Sequence, residues 1–153
     1  IWLNPWVDPN GGAYQIVQSL FAFGSGGIMG SGLTYGFPNM IPEVHTDFIF
    51  AAIGEEMGLL GAGAVIILYI LVIYRAFRAS LFAKMSFSML VAGGLAVSMV
   101  LQICLIIGGV IKFFPLTGIT LPFISYGGSS IIANFILLGM LFSISEVRSY
   151  HEK

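Results

Sequence analysis

Charge is what this chain has least of. Asp, Glu, Lys and Arg make up 8% of its residues, against roughly 25% in a soluble domain. That deficit excludes an ordinary water-soluble fold. Lys and Arg do not occur at all before Arg75, and no charge of either sign appears from Met57 to Tyr74. The single cysteine, Cys104, excludes an internal disulfide and says nothing of redox compartment. No group of His, Cys and carboxylates has metal-site spacing. No resident metal or other cofactor is therefore identified, although Mg²⁺ beside a phosphorylated substrate needs few protein ligands. No nucleic acid is expected as a partner. The chain opens at Ile1 with neither an initiator Met nor a signal peptide.

What is present is apolar: 58% of the residues are hydrophobic. A bilayer core is spanned by ~20 apolar residues, and three windows are long enough, 48–74, 87–111 and 126–145. Each should be a helix, because an open strand leaves its backbone groups unpaired in lipid. The expected fold is an all-α integral membrane protein, with three transmembrane helices and a large outer loop.

The distribution of Lys and Arg sets the orientation. The link 75–86 holds Arg75, Arg78 and Lys84 with no acid, so it should be cytoplasmic. Residues 1–47 carry no Lys or Arg and should form an extracytoplasmic loop. Residues 112–125 hold only Lys112 and should be a second outer loop. The tail 146–153 returns inside with Arg148 and Lys153. An external segment of this kind needs something upstream to carry it across. The chain is therefore expected to be the C-terminal part of a longer protein, whose other helices surround Glu55 and Glu56.

The outer loop has structure of its own. Trp2, Pro5, Trp6, Asp8, Pro9 and Gly11-Gly12 read as turns with interfacial aromatic anchors. Ile16, Leu20 and Phe23 share one face of a short helix over 14–23, which could lie flat on the bilayer. The glycine run 24–32 could cradle phosphate through its amides, but it lacks the Gly-Lys-Ser/Thr of a P-loop. A flexible turn is the favoured reading. In the second loop, Pro115, Gly118 and Pro122 forbid a continuous helix. It leads into Ser125-Tyr126-Gly127-Gly128-Ser129-Ser130, a helix start able to attract an anion. The alternative is that its small residues let two helices approach closely.

The carboxylates carry the chemistry. Asp47 stands where the polar loop meets the first apolar span, between water and the membrane interface. That is a position for work on a lipid-carried substrate. Its structural alternative is to cap the helix, a job Thr46 could also do. Glu43 and His45 stand beside it and are candidate substrate contacts. Glu55 and Glu56 fall inside the span, where ionisable groups face a cavity or a partner. Adjacent residues point in different directions, so one of the two should face the cavity. Lys112 could neutralise phosphate, or snorkel to headgroups.

A set of motifs now comes together: Asn4-Pro5-Trp6, Tyr14-Gln15, Gln18-Ser19, the glycine run, Pro42-Glu43 with His45-Thr46-Asp47-Phe48, Glu55-Glu56-x-Gly58, and Leu121-Pro122-x-x-Ser125-Tyr126-Gly127-Gly128-Ser129-Ser130. Together they resemble the SEDS family of bacterial shape, elongation, division and sporulation proteins, which includes FtsW, RodA and SpoVE. The resemblance covers nearly the whole chain. It implies a bundle of around ten transmembrane helices, the arrangement that satisfies a polytopic backbone in lipid. This chain would supply the large outer loop and the last three.

The resemblance also implies an activity. Members polymerise lipid II, a disaccharide-pentapeptide on undecaprenyl pyrophosphate, at the outer face of the bacterial cytoplasmic membrane. They do so for division, elongation or sporulation, beside a class B penicillin-binding protein transpeptidase. The family's essential loop aspartate falls on Asp47. An α-linked pyrophosphate becoming a β-linked glycan implies inversion. One base then suffices, because the leaving group needs charge stabilisation more than a proton; a glycoside hydrolase needs two carboxylates. Ser125, Gly127, Gly128 and Ser129 are the expected substrate contacts on the closing motif. Some members carry a lysine further along the second loop, where this chain has Thr117 before Gly118. The alternatives are a lipid II flippase, which should place its key polar groups near the midplane, and a noncatalytic scaffold for a transpeptidase.

The orientation has a direct test in the intact protein with Cys104 replaced by Ala. A membrane-impermeant maleimide applied to spheroplasts should label Ser31→Cys and spare Ser80→Cys. The reverse pattern would put Asp47 on the cytoplasmic side.

Overall fold

The structure is a computed structural model that describes residues 4–8, 11, 13–37 and 41–149, with side chains described as far as Ser145. The expected turn residues Trp2, Pro9 and Gly12 lie outside the described residues, as do the tail residues 150–153. A 3-10 turn, Pro5–Val7, precedes four α-helices: α1 Tyr14–Gly26, α2 Ile49–Leu81, α3 Ser86–Val110 and α4 Gly128–Ser149. Among the described residues there is no strand. Three helices are long and apolar enough to cross a membrane: α2, α3, and α4 over Gly128–Ser145. This is the all-α membrane architecture read from the apolar windows.

Helix α2 departs from expectation at both ends and in the middle. It does not stop at Tyr74, where the apolar run ends, but continues to Leu81. Arg75, Ala76, Arg78 and Ala79 are good helix formers, so the charges end the apolar span without ending the helix. The expected link 75–86 is thereby reduced to the short turn between α2 and α3. Ser80 is buried and its hydroxyl donates to the Met89 carbonyl at 2.8 Å. A cysteine at Ser80 would be spared by burial alone, so the exposed Lys84 is the position to label in the link expected to be cytoplasmic.

The middle of α2 is broken at Gly58, whose φ of 66° is left-handed. That break strands backbone groups on both sides, and the glycine run supplies their partners. The amides of Ser31 and Gly32 donate to the Glu55 and Glu56 carbonyls at 2.9 and 3.0 Å. On the other side, the Leu59 and Leu60 amides donate to the Gly27 and Ile28 carbonyls at 2.9 and 3.2 Å. Only glycine allows so close an approach. A Cβ on Gly30 would lie 2.2 Å from the Glu56 carbonyl oxygen, and one on Gly58 would lie 2.3 Å from the Gly30 nitrogen. The run is thus neither a phosphate cradle nor a flexible turn, but a splint on a broken helix. Beyond the break, Leu59 to Leu81 is long enough alone to span the ~30 Å bilayer core.

Helix α1 is also more buried than its pattern suggested. Its buried face is Ile16, Val17, Ser19, Ala22 and Gly26, so that face packs into the protein. Helix association in lipid rests on close packing and small residues rather than on the hydrophobic effect. At the α1/α2 crossing a Cβ on Gly26 would overlap the Gly54 carbonyl, and one on Gly54 would overlap the Phe23 ring. Ser19 anchors the other side by donating to the Val110 carbonyl of α3 at 3.3 Å. Lower down, buried Ala76, Ala92, Ala96 and Leu141 bring α2, α3 and α4 together.

Gly58→Ala should be strongly destabilising. A left-handed non-glycine residue costs about 1–2 kcal/mol, and the backbone overlap with Gly30 adds to that. Gly63 lies in the same helix with open space around it, and Gly63→Ala should be neutral or stabilising by about 0.5–1 kcal/mol. Thermal melting of the two intact variants in detergent would show the contrast; equal melting would remove the splint.

Candidate functional site

The site is built around residues 41–47. Ile41, Val44 and Phe48 are buried with Ala22, Ala51 and Val110, and so pin the segment to α1, α2 and α3. Glu43 is left-handed, with φ 56°, and the chain turns sharply there. The Thr46 and Asp47 amides both return to the Glu43 carbonyl, at 3.1 and 3.2 Å. The Thr46 hydroxyl donates to the same carbonyl at 3.0 Å and reaches the Glu43 carboxylate at 3.3 Å. Asp47 emerges half-buried at the end of this turn.

Neither Asp47 nor Thr46 caps α2. The cap position is Phe48, and no side chain there bonds to the helix amides. The main structural alternative for Asp47 is thereby absent. Burial raises the Asp47 pKa above its ordinary value; the Thr46 side chain pulls it down, and the nearby Glu43 charge pushes it up.

The second outer loop closes over this turn, joining two segments far apart in sequence. The Tyr126 amide donates to the His45 carbonyl at 2.8 Å. The Ser125 hydroxyl donates to the Thr46 carbonyl and accepts the Leu121 amide at 2.9 Å. Gly118 faces the carboxylate: a Cβ there would lie 3.8 Å from Asp47 Oδ2, and its φ of 66° suits glycine. The loop is held from behind by three helices. Tyr69 of α2 donates to the Pro122 carbonyl, Gln102 of α3 donates to the Thr120 carbonyl at 2.8 Å, and the Thr120 hydroxyl donates to Ser130 of α4.

The remaining expected site residues divide. His45 and Glu43 are exposed beside Asp47. Ser125 is buried with its hydroxyl engaged on both sides, so it braces the turn instead of meeting substrate. It does not cap α4 either. Gly127 is tight, with a Cβ there 3.3 Å from the Thr120 methyl, while Gly128 has open space and Ser129 is exposed at the start of α4. Close packing against the loop thus explains Gly127 but not Gly128, and among the described residues no helix–helix approach involves either. Lys112 follows α3 in a left-handed conformation, φ 66°, and no hydrogen bond among the described residues ties it to Asp47.

Glu55 and Glu56 both turn back to the outer loop. Glu55 Oε1 accepts the Phe37 amide at 3.0 Å, and Glu56 Oε1 accepts the Thr34 amide at 3.3 Å. Their partners are backbone amides of this same chain, where other helices of a longer protein had been expected. Glu55 also lines a small cavity of about 190 Å³ with Gln18, Ser25 and Ile41. Among the described residues, no three His, Cys, Asp or Glu side chains form a metal-holding group. Sequence reasoning missed Tyr69, Gln102 and Gly118. The first two carried a signal, as polar groups within apolar spans.

Residues 1–150 match the cell cycle protein family FtsW/RodA/SpoVE. The chain belongs to this family. Among relatives, it is 51% identical over 144 residues to the peptidoglycan glycosyltransferase RodA of Mycobacterium tuberculosis, covering 94% of this chain and 31% of that protein. It is 40% identical over 151 residues to the stage V sporulation protein E of Bacillus subtilis, covering 97% of this chain and 41% of that protein. A chain from a solved peptidoglycan synthase complex that coordinates polymerization and crosslinking matches with a TM-score of 0.80 and 31% identity, over 97% of this chain and 40% of that one. The chain thus spans less than half the length of these relatives. Family membership and three spanning helices make it part of a multi-pass membrane protein.

The brace is open to test. Ser125→Ala leaves the Leu121 amide and the Thr46 carbonyl without their partner, which should cost about 1–3 kcal/mol. The intact protein should melt lower and lose activity. A wild-type melting temperature would remove Ser125 from the architecture of the site.

Proposed function

We propose that the intact protein is a glycosyltransferase that polymerises lipid II into peptidoglycan strands at the outer face of the bacterial cytoplasmic membrane. Asp47 is its catalytic base. The observation that carries this reading is the position of the carboxylate. It is half-buried, relieved of any capping duty, and faces the glycine-lined edge of a second loop held by three helices. A base needs a fixed direction and a pKa above that of a free carboxylate, and Asp47 has both.

In the transfer, Asp47 takes the proton from the acceptor sugar hydroxyl as its oxygen attacks the donor's anomeric carbon. The bond to undecaprenyl pyrophosphate breaks with inversion. The leaving pyrophosphate carries its own charge, and on this proposal the start of α4, where Gly128 and Ser129 are exposed, receives it. His45 and Glu43 border the acceptor side. Lys112 is assigned no step. A class B penicillin-binding protein is the proposed partner, in keeping with the crosslinking complex that the solved neighbour forms.

Asp47→Asn tests the role. Asparagine keeps the shape but cannot accept a proton at neutral pH. Polymer formation from lipid II, read on a gel with the intact protein and its transpeptidase, should fall by ~10²–10⁴-fold. Activity within about tenfold of wild type would overturn the base. Stability should move the other way. A carboxylate whose folded pKa is raised destabilises the fold once pH exceeds that value, and the penalty vanishes below its unfolded pKa. Asp47→Asn should therefore melt at or above wild type at neutral pH. The difference should shrink as pH falls toward the ordinary carboxylate range of about 4.

A further inference from the structure

The largest cavity described lies at the end of the molecule away from Asp47. It is a groove of about 550 Å³ between the C-terminal halves of α2 and α4. Its walls include Leu71, Val72, Leu138 and Phe142, and among the described residues its lining contains two arginines, Arg75 and Arg78, and no carboxylate. On α2 the lining runs from Leu71 to Ala79, about two turns or ~12 Å of helix. The arginines follow directly on the charge-free stretch that ends at Tyr74, so apolar and cationic parts succeed each other along the helix. Beyond the break at Gly58, Leu59 to Arg75 is ~24 Å of continuous helix, with Asp47 on the far side of the break. The groove lies toward the other end of α2 from Asp47, at the link expected to be cytoplasmic.

We propose that this groove binds an anionic phospholipid, with an acyl chain along Leu71, Val72, Leu138 and Phe142 and its phosphate at Arg75 and Arg78. Charge complementarity and the order of the parts select this occupant. Guanidinium groups match phosphate oxygens in paired hydrogen bonds, and basic pockets between membrane helices on the cytoplasmic side take such headgroups. Arg78 lies 5.8 Å from the Phe82 ring centroid. That is within cation–π range, so the ring holds the guanidinium at the groove. The volume falls within the range of small-ligand pockets. This site is separate from the proposed transfer chemistry and does not rest on it.

The test uses the intact protein, delipidated in zwitterionic detergent, and fluorescent-acyl phosphatidylglycerol, with phosphatidylcholine as the neutral comparison. Phosphatidylglycerol should bind more tightly. Arg75→Gln and Arg78→Gln should each weaken it about tenfold, the effect of losing one charge-assisted hydrogen bond. Leu138→Trp, which fills the groove and keeps both arginines, should weaken it as well. Lys84→Gln, a nearby cation outside the lining, should leave binding unchanged. Melting without lipid checks that each variant is folded. Equal binding of the two lipids would overturn the site. So would binding indifferent to Arg75→Gln, as expected if another segment of the intact protein fills the groove. Equal sensitivity to Lys84→Gln would reduce it to general surface charge and overturn it too.

Discussion

One constraint governs this protein: backbone amides and carbonyls cannot be left unpaired in or near lipid. Two stretches of the chain are not helical and yet pack against membrane helices. Each meets the constraint in a different way. The glycine run lays its own backbone against the break in α2, so that two irregular segments satisfy each other. The second outer loop instead draws on side chains, with Tyr69, Gln102 and Ser125 supplying the hydrogen bonds. Most of the unusual residues in the sequence follow from these two solutions.

The candidate site is a product of the same constraint. Asp47 lies on a turn whose carbonyls, at His45 and Thr46, are claimed by Tyr126 and Ser125. Fixing those carbonyls fixes the backbone from which the Asp47 side chain projects. The polar atoms of the closing motif are mostly spent on this task. What remains exposed is small: the His45 and Glu43 side chains, Gly118, and the first residues of α4. The proposed transfer needs both that openness, for a lipid-linked sugar, and the rigidity behind the carboxylate.

The sequence made the membrane spans legible because length and apolarity suffice to define them. Asp47 stood out as a candidate at the junction of a polar loop and an apolar run, near Glu43, and its catalytic role came mainly from the family resemblance. Other features were not. The break at Gly58 sits in a run with no proline, and glycine inside an apolar span reads equally as close packing. The extension of α2 past Tyr74 was hidden because charge ends a membrane signal but not a helix. Ser125 looked like a ligand because a serine before a helix start usually bonds forward; here it bonds back across the loop. Glu55 and Glu56 looked as if they lacked partners because backbone amides, unlike cations, leave no mark in a sequence.

The splint on α2 has a mechanical consequence. Backbone bonds hold the glycine run to both sides of the break, so the elbow at Gly58 is stiff and is not a hinge. The lower rod and the short outer piece that begins beside Asp47 therefore turn as one lever. Membrane helices adjust to bilayer thickness by tilting. A tilt of the lower rod is carried through the elbow to the carboxylate at its far end.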